Sequence, residues 1–230
     1  VLWEMALQTG RFRNAHDLGY QTVADIDSVT GQVTYRDGTI PVIGEEIYWC
    51  PSTAGFKSWR AMSYHPGMEA FFIPINLNCE TAVFGPVDRV AGGGGTGPVR
   101  RTNHHHPDSE EQLGEFVAMS MRTGDVLWRR RFRTPINSAA LTTAGGLAIA
   151  GGWDRQVYAF DAGSGETLWE TRLPTSVQGF PITYAVGGKQ YLAIPAGAGG
   201  ASWGGMLPAD LTPEKRRPVG GNGLFVFALP

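Results

Sequence analysis

The chain has few charges and only two cysteines. Of its 230 residues, 17% are charged, and the formal net charge is −2. This balance argues against a protein that binds nucleic acid by neutralising phosphates. No apolar run approaches the ~18 residues that a membrane-spanning helix requires. The P-loop, the Gly-x-Ser-x-Gly nucleophile elbow and the dinucleotide-binding glycine fingerprint are missing too, which leaves no motif for those three chemistries.

Glycine, proline and aromatic residues are what the sequence has in quantity. It contains 32 Gly and 15 Pro, together with 11 Phe, 7 Tyr and 7 Trp. Hydrophobic residues make up 42%, which is too many for a disordered chain. Frequent turn formers between short aromatic-rich segments predict an all-β protein, with many short strands joined by tight turns.

A short pattern occurs three times along the chain. In each copy a glycine comes four positions after a polar residue, and an aromatic residue comes four positions after the glycine. The copies span 25–35, 118–128 and 159–169, with polar residues Asp27, Ser120 and Asp161 and aromatic residues Tyr35, Trp128 and Trp169. A polar side chain that bonds its own backbone, followed by a glycine with positive φ, predicts a β-hairpin at each copy.

The spacing of two of these hairpins indicates the architecture. Ser120 and Asp161 are 41 residues apart, and a period of about 40–45 residues with a recurring glycine and aromatic residue is typical of β-propeller blades. The alternative is a β-sandwich whose hairpins match by coincidence. With long loops set aside at about 91–112 and 205–222, the remaining length predicts about four blades of four-stranded antiparallel sheets. They would form an open arc, whose exposed edges need a further piece of propeller.

Several longer segments resemble one family in the same order. Residues 50–59 read Cys-Pro-Ser-Thr-Ala-Gly-Phe-Lys-Ser-Trp, followed by Ser-Tyr-His-Pro at 63–66 and Asn-Leu-Asn-Cys at 76–79. Leu-Thr-Thr-Ala-Gly-Gly-Leu-Ala follows at 141–148. Together with the Asp-x-x-(Thr/Ser)-Gly-x-x-x-Trp hairpins, these segments resemble the pyrroloquinoline-quinone (PQQ) dependent alcohol dehydrogenases. The resemblance implies that residues 1–230 are the C-terminal part of a single eight-bladed PQQ-type propeller domain.

The resemblance implies an enzyme of which this chain is one part. The family oxidises primary alcohols or polyols in the periplasm by hydride transfer to PQQ, beside a calcium or lanthanide ion, and passes electrons to cytochrome c or a quinone. Its catalytic Asp and metal ligands come from earlier blades, and no segment here matches their motifs. We therefore expect no catalytic residue and no metal ligand in this chain, and no activity from it alone. The expected partner is the missing N-terminal half or a complementary chain, with a signal peptide upstream of Val1.

Seven positions of this sequence correspond to positions of the family's cofactor pocket, although not all of them carry the family's residue. Ser58 stands beside Trp59 where the family has Asn, and Gln8 stands where a basic residue bonds the quinone carbonyl. Asn137 takes the place of a stacking Trp, so these three residues depart from the pattern. Glycines allow a flat ligand to approach the backbone, and a Trp offers it a stacking face. The resemblance assigns cofactor binding to Gln8, Ser58, Trp59, Asn137, Gly199, Gly200 and Trp203, with core packing the alternative for Trp59 and an exposed loop position the alternative for Trp203.

The two cysteines, Cys50 and Cys79, correspond to a cysteine pair of the family. The resemblance implies a disulfide bond between them, and two free buried thiols are the alternative. A cross-link that closes a loop of this length contributes ~3–4 kcal/mol in the chain-entropy model. It implies an oxidising compartment, here the periplasm.

The run His104-His105-His106 looks like a metal site. Consecutive residues of an extended segment point in different directions, however, and cannot all reach one ion. The run also lies in a polar stretch that follows several glycines. We therefore expect a solvated loop that binds metal only adventitiously.

The departures at Gln8, Ser58 and Asn137 keep a second class of function open. Propellers of PQQ-type repeats also build scaffolds that bind no quinone, including outer-membrane assembly lipoproteins. A non-enzymatic scaffold or protein-binding module is therefore the alternative to a dehydrogenase.

Overall fold

The computed structural model describes residues 1–87, 98–197, 207–215 and 221–228, and nearly all of their regular structure is β-strand. The first nine strands are β1 (Leu2–Met5), β2 (Phe12–His16), β3 (Ala24–Ile26), β4 (Val33–Tyr35), β5 (Glu46–Trp49), β6 (Ser63–His65), β7 (Ala70–Asn76), β8 (Asn78–Phe84) and β9 (Val99–His105). The other nine are β10 (Gly114–Ser120), β11 (Val126–Phe132), β12 (Leu141–Thr142), β13 (Leu147–Gly151), β14 (Gln156–Asp161), β15 (Thr167–Arg172), β16 (Ile182–Val186), β17 (Lys189–Ala196) and β18 (Gly223–Ala228). A 3₁₀ turn at Pro107–Ser109 and a short helix, α1 (Leu207–Leu211), complete the described elements, and neither is long and apolar enough to cross a membrane.

The chain forms two compact units, and both are built from antiparallel sheets. The first unit comprises Val1–Gly55 and Asn78–Asp108, and the second comprises Phe56–Leu77 and Ser109–Pro230. The first holds the sheets β1-β2, β3-β4 and β5-β8-β9. The second holds two four-stranded sheets, β6-β7-β10-β11 and β12-β13-β14-β15, and the three-stranded sheet β16-β17-β18. None of these described strands closes a barrel, so the predicted all-β class of open, blade-like antiparallel sheets is confirmed.

Small side chains allow the two four-stranded sheets to pack face to face. Their shared core alternates alanine with large aromatic residues, and it excludes water almost completely. A second core lies between β12-β13-β14-β15 and β16-β17-β18 and consists mainly of branched aliphatic residues. The first core contains Ala70, Phe72, Phe116, Ala118, Ile136, Ala140, Ala148, Ala150, Phe160 and Ala162.

The three predicted hairpins are present and have the same turn. In each, the glycine N–H donates to the carbonyl of the polar residue four positions earlier, at 2.8, 2.9 and 2.8 Å in chain order. These glycines have φ values of +75°, +77° and +71°, which side-chain-bearing residues rarely adopt. Asp161 Oδ1 also accepts from the N–H and hydroxyl groups of Ser164 and from the N–H group of Gly163, and these bonds to the charged form hold the pKa of that carboxyl below its usual value.

Two of the three aromatic residues join neighbouring sheets. Trp128 Nε1 donates to the carbonyl of Ala162 at 2.8 Å, and its ring lies against Gly165 of the next hairpin. Trp169 contacts Phe227 of β18 edge to face, with ring centroids 5.3 Å apart. Tyr35 differs, because 60% of its surface is exposed.

Both stretches predicted as long loops, 91–112 and 205–222, contain regular structure. The first is not a loop throughout, because β9 lies in it, and the second stays a prediction. Strand β9 lies inside the first and pairs with β8 along its whole length, from Asn78↔His105 to Phe84↔Val99. Helix α1 lies inside the second. The pairing with β8 holds a polar segment extended although its sequence lacks apolar alternation. The assignment of residues 1–230 to a single propeller domain stays a prediction.

The histidine run belongs to β9 and the residue after it, and not to a solvated loop. His104 Nε2 lies 2.9 Å from the Thr81 hydroxyl oxygen on β8. His106 is buried, with its ring edge to face against Tyr20 and its Nε2 2.9 Å from the Tyr20 carbonyl. The expectation of a solvated loop is therefore wrong, because pairing with β8 and contact with Tyr20 bury part of this segment.

Candidate functional site

Ser58 and Trp59 lie in an irregular segment of the second unit that leads into β6. Lys57 is exposed, Ser58 is half-buried, and Trp59 has 79% of its surface accessible. The next residue, Arg60, is buried, with 6% of its surface accessible. Core packing, the alternative interpretation of Trp59, is therefore wrong, and its ring offers an open aromatic face.

Two asparagine side chains hold the buried Arg60. Its Nε and Nη2 donate to Asn137 Oδ1 at 3.3 and 3.1 Å. With the Asn76 amide oriented to satisfy its neighbours, Asn76 Oδ1 accepts from Arg60 Nη1 at 3.2 Å and from Nη2 at 2.7 Å, and its nitrogen donates to the Ile75 carbonyl. Both acceptors are neutral amide oxygens, so they orient the guanidinium group without cancelling its charge.

The surroundings of Arg60 are positively charged. Burial lowers the pKa of the Arg60 guanidinium to about 10. Desolvation, and the charge of Arg60 itself, lower the pKa of the Lys57 ammonium. None of the ion pairs found among the described residues involves either side chain. In the described part of the chain, two neighbouring cations thus lie together without a carboxylate that pairs with them.

Backbone hydrogen bonds bring Asn137 to this place. The Asn137 N–H donates to the Gly151 carbonyl at 2.9 Å, and the Ala140 N–H donates to the Ala61 carbonyl at 2.9 Å. The second bond fixes the segment that carries Asn137 beside the one that carries Arg60. Of the seven predicted cofactor residues, Ser58, Trp59 and Asn137 are therefore assembled around a residue that the sequence did not reveal.

Arg60 escaped prediction because an arginine in an irregular segment usually lies in solvent. One signal in the sequence points to it. A cation directly follows Trp59, and an amide at position 137 stands where the resemblance expects an indole. Only the fold shows that these two departures contact each other.

Four of the predicted cofactor residues remain. Gln8 belongs to the first unit and is exposed in the turn between β1 and β2, where the Ala6 N–H donates to the Arg11 carbonyl at 2.8 Å. Gly199, Gly200 and Trp203 are outside the described residues. Cofactor binding by these four residues stays a prediction.

Cys50 and Cys79 form the predicted disulfide bond in the first unit. Both are buried, and His106 lies beside them as the third member of the one group of three potential metal ligands in the described residues. Both sulfurs are used by the disulfide. His106 Nδ1 accepts from the Asp108 N–H at 3.1 Å, and its Nε2 faces the Tyr20 carbonyl. Hydrogen bonding and the cross-link therefore occupy all the ligand atoms of this group.

Two cavities of the second unit lie away from Arg60. One, of about 740 Å³, is mainly apolar and is lined by residues that include Leu168, Trp169 and Phe227. No titratable side chain is found in its described lining. The other, of about 500 Å³, is lined by charged and polar side chains, among them Asp154 and Arg172. Neither contains a predicted cofactor residue.

Comparison with known proteins identifies one family. Residues 100–192 match the family model described as PQQ, glucose/ethanol/alcohol dehydrogenase, beta-propeller domain. Quinoprotein ethanol dehydrogenase of Pseudomonas aeruginosa is 34% identical over 89% of this chain. Subunit 1 of methanol dehydrogenase [cytochrome c] of Methylorubrum extorquens is 33% identical over 76% of it. The solved structure of a europium-containing methanol dehydrogenase covers 99% of this chain with a TM-score of 0.87 at 24% identity, which supports the fold.

The chain is much shorter than the proteins it matches. It spans 33% of the Pseudomonas aeruginosa relative, 28% of the Methylorubrum extorquens relative and 43% of the europium-containing chain. The sequence matches nevertheless cover 89% and 76% of this chain, and the structural match covers 99% of it. The chain is similar over most of its length to the PQQ-dependent alcohol dehydrogenases, a family of β-propeller quinoproteins, and it corresponds to about a third of the length of the Pseudomonas aeruginosa relative.

Proposed function

We propose that this chain supplies part of the cofactor pocket of a PQQ-dependent alcohol dehydrogenase that oxidises primary alcohols or polyols. The observation that carries this proposal is the arrangement around Arg60. An open aromatic face, a hydroxyl and two cations lie on the segment that bears the family's motif. Relatives along most of the chain are named as quinoprotein or cytochrome c-linked alcohol dehydrogenases.

The residues around Arg60 fit a flat, anionic cofactor. Trp59 offers a stacking surface, the Ser58 hydroxyl can donate one hydrogen bond, and Lys57 and Arg60 favour negative charge. PQQ, when bound, supplies a quinone that accepts two electrons from the alcohol. In this proposal the residues of this chain bind and orient that group and exclude water from one side of it.

The same residues do not fit a metal ion. A calcium or lanthanide ion requires several oxygen ligands, mostly carboxylates. The described surroundings of Arg60 are cationic instead, and its two asparagine oxygens already accept from the guanidinium. We therefore propose that the metal ligands and the Asp general base come from the part of the propeller outside this chain. The expected partner is that N-terminal half or a complementary chain.

The compartment and the electron acceptor follow from separate observations. The Cys50–Cys79 disulfide favours an oxidising compartment, and we propose the periplasm. The name of the methanol dehydrogenase relative includes cytochrome c, which supports cytochrome c as the acceptor, with a quinone as the alternative. The substrate of this proposal is a small alcohol.

A non-enzymatic PQQ-repeat scaffold is the second candidate. One observation favours it: Asn137 stands where the resemblance expects a stacking indole, and its Oδ1 accepts from Arg60. A pocket without that aromatic surface would hold a quinone less firmly.

Reconstitution separates the two candidates. The chain is combined with PQQ and Ca²⁺, alone and as part of a longer polypeptide with the upstream blades, and dye-linked oxidation of ethanol is measured. We expect activity only from the longer polypeptide, because the base and metal ligands lie there. Activity of the isolated chain would show that the general base lies within this chain, which contradicts our proposal. Failure of both polypeptides to bind PQQ, measured by equilibrium dialysis, would favour the scaffold.

A further inference from the structure

Arg60 is a buried cation whose charge is not matched by the residues around it. Burying an ionised group is costly unless an opposite charge compensates it. The hydrogen bonds of Arg60 go to the amide oxygens of Asn137 and Asn76, which are dipoles and not charges. The charged side chain whose pKa Arg60 lowers, Lys57, is also a cation. The positive charge of this site therefore favours the binding of an anionic ligand.

The hydrogen bonds of Arg60 also leave one of its N–H donors without an acceptor among the described residues. A guanidinium group has five N–H donors. Asn137 Oδ1 takes one from Nε and one from Nη2, and Asn76 Oδ1 takes one from Nη2 and one from Nη1. One N–H of Nη1 has no acceptor among the described residues. The two asparagines thus fix the plane of the group and leave one donor for a further acceptor.

We propose that Arg60 binds a carboxylate of the ligand, with Lys57 as a second cation and with Asn137 and Asn76 as positioning residues. The inference rests on the proposed function only for the identity of the ligand, because a buried cation recognises a carboxylate in any context. Two ligands of that function could carry the group. One is a carboxylate of the quinone cofactor, and the other is a carboxylate on the alcohol substrate.

The contact between Asn137 and Arg60 suggests a variant in which the protein itself neutralises the charge of Arg60. Asn137→Asp places a carboxylate where the amide oxygen now accepts from Nε and Nη2 of Arg60. This internal anion would neutralise Arg60 while keeping the shape of the side chain. Binding of a ligand carboxylate should therefore fall, although the contacts that hold Arg60 become stronger and the fold is retained.

The test is calorimetric titration of the full chain with two pairs of probes. PQQ is compared with its uncharged trimethyl ester, and glycolate is compared with ethylene glycol. Each pair keeps the ligand's frame and changes its negative charge. The proteins are the wild type, Arg60→Gln, Arg60→Lys and Asn137→Asp. Arg122→Gln is the matched control, because it removes the same charge from an exposed ion pair with Glu69.

We expect one charged probe to bind wild type more tightly than its uncharged counterpart. Arg60→Gln and Asn137→Asp should weaken that probe about tenfold to hundredfold, the usual range for a hydrogen bond to a charged group. Arg60→Lys should retain part of the affinity, and Arg122→Gln should retain all of it. The uncharged probes should bind all five proteins alike. Circular dichroism verifies that each variant is folded.

The outcomes separate this inference from the proposed function. Loss confined to PQQ identifies a cofactor carboxylate, and loss confined to glycolate identifies a substrate carboxylate. Equal binding of wild type and Arg60→Gln to both PQQ and glycolate would overturn the inference, and it would leave the proposed function standing. Charged probes that bind no better than uncharged ones would also overturn it. Glycolate binding that depends on Arg60, without any PQQ binding, would support the inference and contradict the proposed function.

Discussion

The hairpins β10-β11 and β3-β4 have the same turn but differ in what their aromatic residue contacts. Trp128, in the first, is surrounded by Phe72, Phe116 and Phe160, with ring centroids 5.7, 5.8 and 6.0 Å away, and it donates to the next hairpin. Tyr35, in the second, is 60% exposed. The turn depends on a polar residue and a glycine four positions apart, which are local. The position of the aromatic residue depends on whether a neighbouring sheet receives it.

The largest effect on stability is expected from removing the Trp128 side chain, and Tyr35 provides the comparison. Trp128→Ala should lower the free energy of unfolding by about 3 kcal/mol or more, because it empties the core between two sheets. Tyr35→Ala should change it by less than about 0.5 kcal/mol, since Tyr35 is mainly in solvent. Urea unfolding monitored by circular dichroism measures both. Equal losses would mean that Tyr35 is buried in the folded protein and would remove the contrast between the hairpins.

An intermediate effect is expected at the glycines of the turns. A Cβ at Gly165 would lie 2.6 Å from the Trp128 ring, and the backbone there has φ +71°. Gly165→Ala should therefore cost about 2–3 kcal/mol, from overpacking together with backbone strain. Gly146→Ala is the matched control, because its φ is +83° but no atom lies within 4 Å of its Cβ position. It should cost only the strain, about 1 kcal/mol.

Gly31 of hairpin β3-β4 refines this comparison. Its Cβ position also lies 2.6 Å from an aromatic ring, that of Phe12 on β2. Gly31→Ala should thus destabilise the chain about as much as Gly165→Ala, although Tyr35 is exposed. Urea unfolding of the three glycine variants measures the free energy that each substitution costs. A small loss of stability in Gly31→Ala would contradict this prediction, and it would mean that the Phe12 ring can move away from position 31 easily.

The smallest effect is expected from acid at the turn carboxylates. Backbone N–H groups hold the pKa of both Asp27 and Asp161 below the ordinary value of 3.8. A lowered folded-state pKa contributes stability above the unfolded pKa, and this contribution is lost as pH falls through the folded-state value. Asp161→Asn should therefore show a shallower loss of stability below pH 3.8 than wild type. Asp27→Asn should behave in the same way, because its turn has the same bonds. The urea midpoint measured between pH 5 and pH 2.5 tests this, and parallel curves for all three proteins would contradict it.

Features set by short stretches of sequence could be predicted, and those set by distant pairing could not. The hairpins at Asp27, Ser120 and Asp161 depend on a few neighbouring residues, so their spacing predicted them correctly. The histidine run was predicted wrongly, because β8 holds β9 in place and nothing within β9 reveals that pairing.

The candidate site shows the same limit. The resemblance predicted Ser58, Trp59 and Asn137 one by one, and the disulfide as a pair. It could not show that Arg60 and Asn137, 77 positions apart, form hydrogen bonds. Nor could it show that Trp59 is exposed while its neighbour Arg60 is buried. Burial of adjacent residues in an irregular segment depends on the packing of other elements, which no local pattern encodes.

The Cys50–Cys79 bond has a consequence for the covalent integrity of the chain. The cysteines are 29 positions apart and both lie in the first unit, whereas Phe56–Leu77, between them, belongs to the second. A protease that cuts anywhere in this interval leaves the two fragments joined through sulfur. Such a nicked protein runs as one band on a non-reducing gel and separates into two only after a thiol is added.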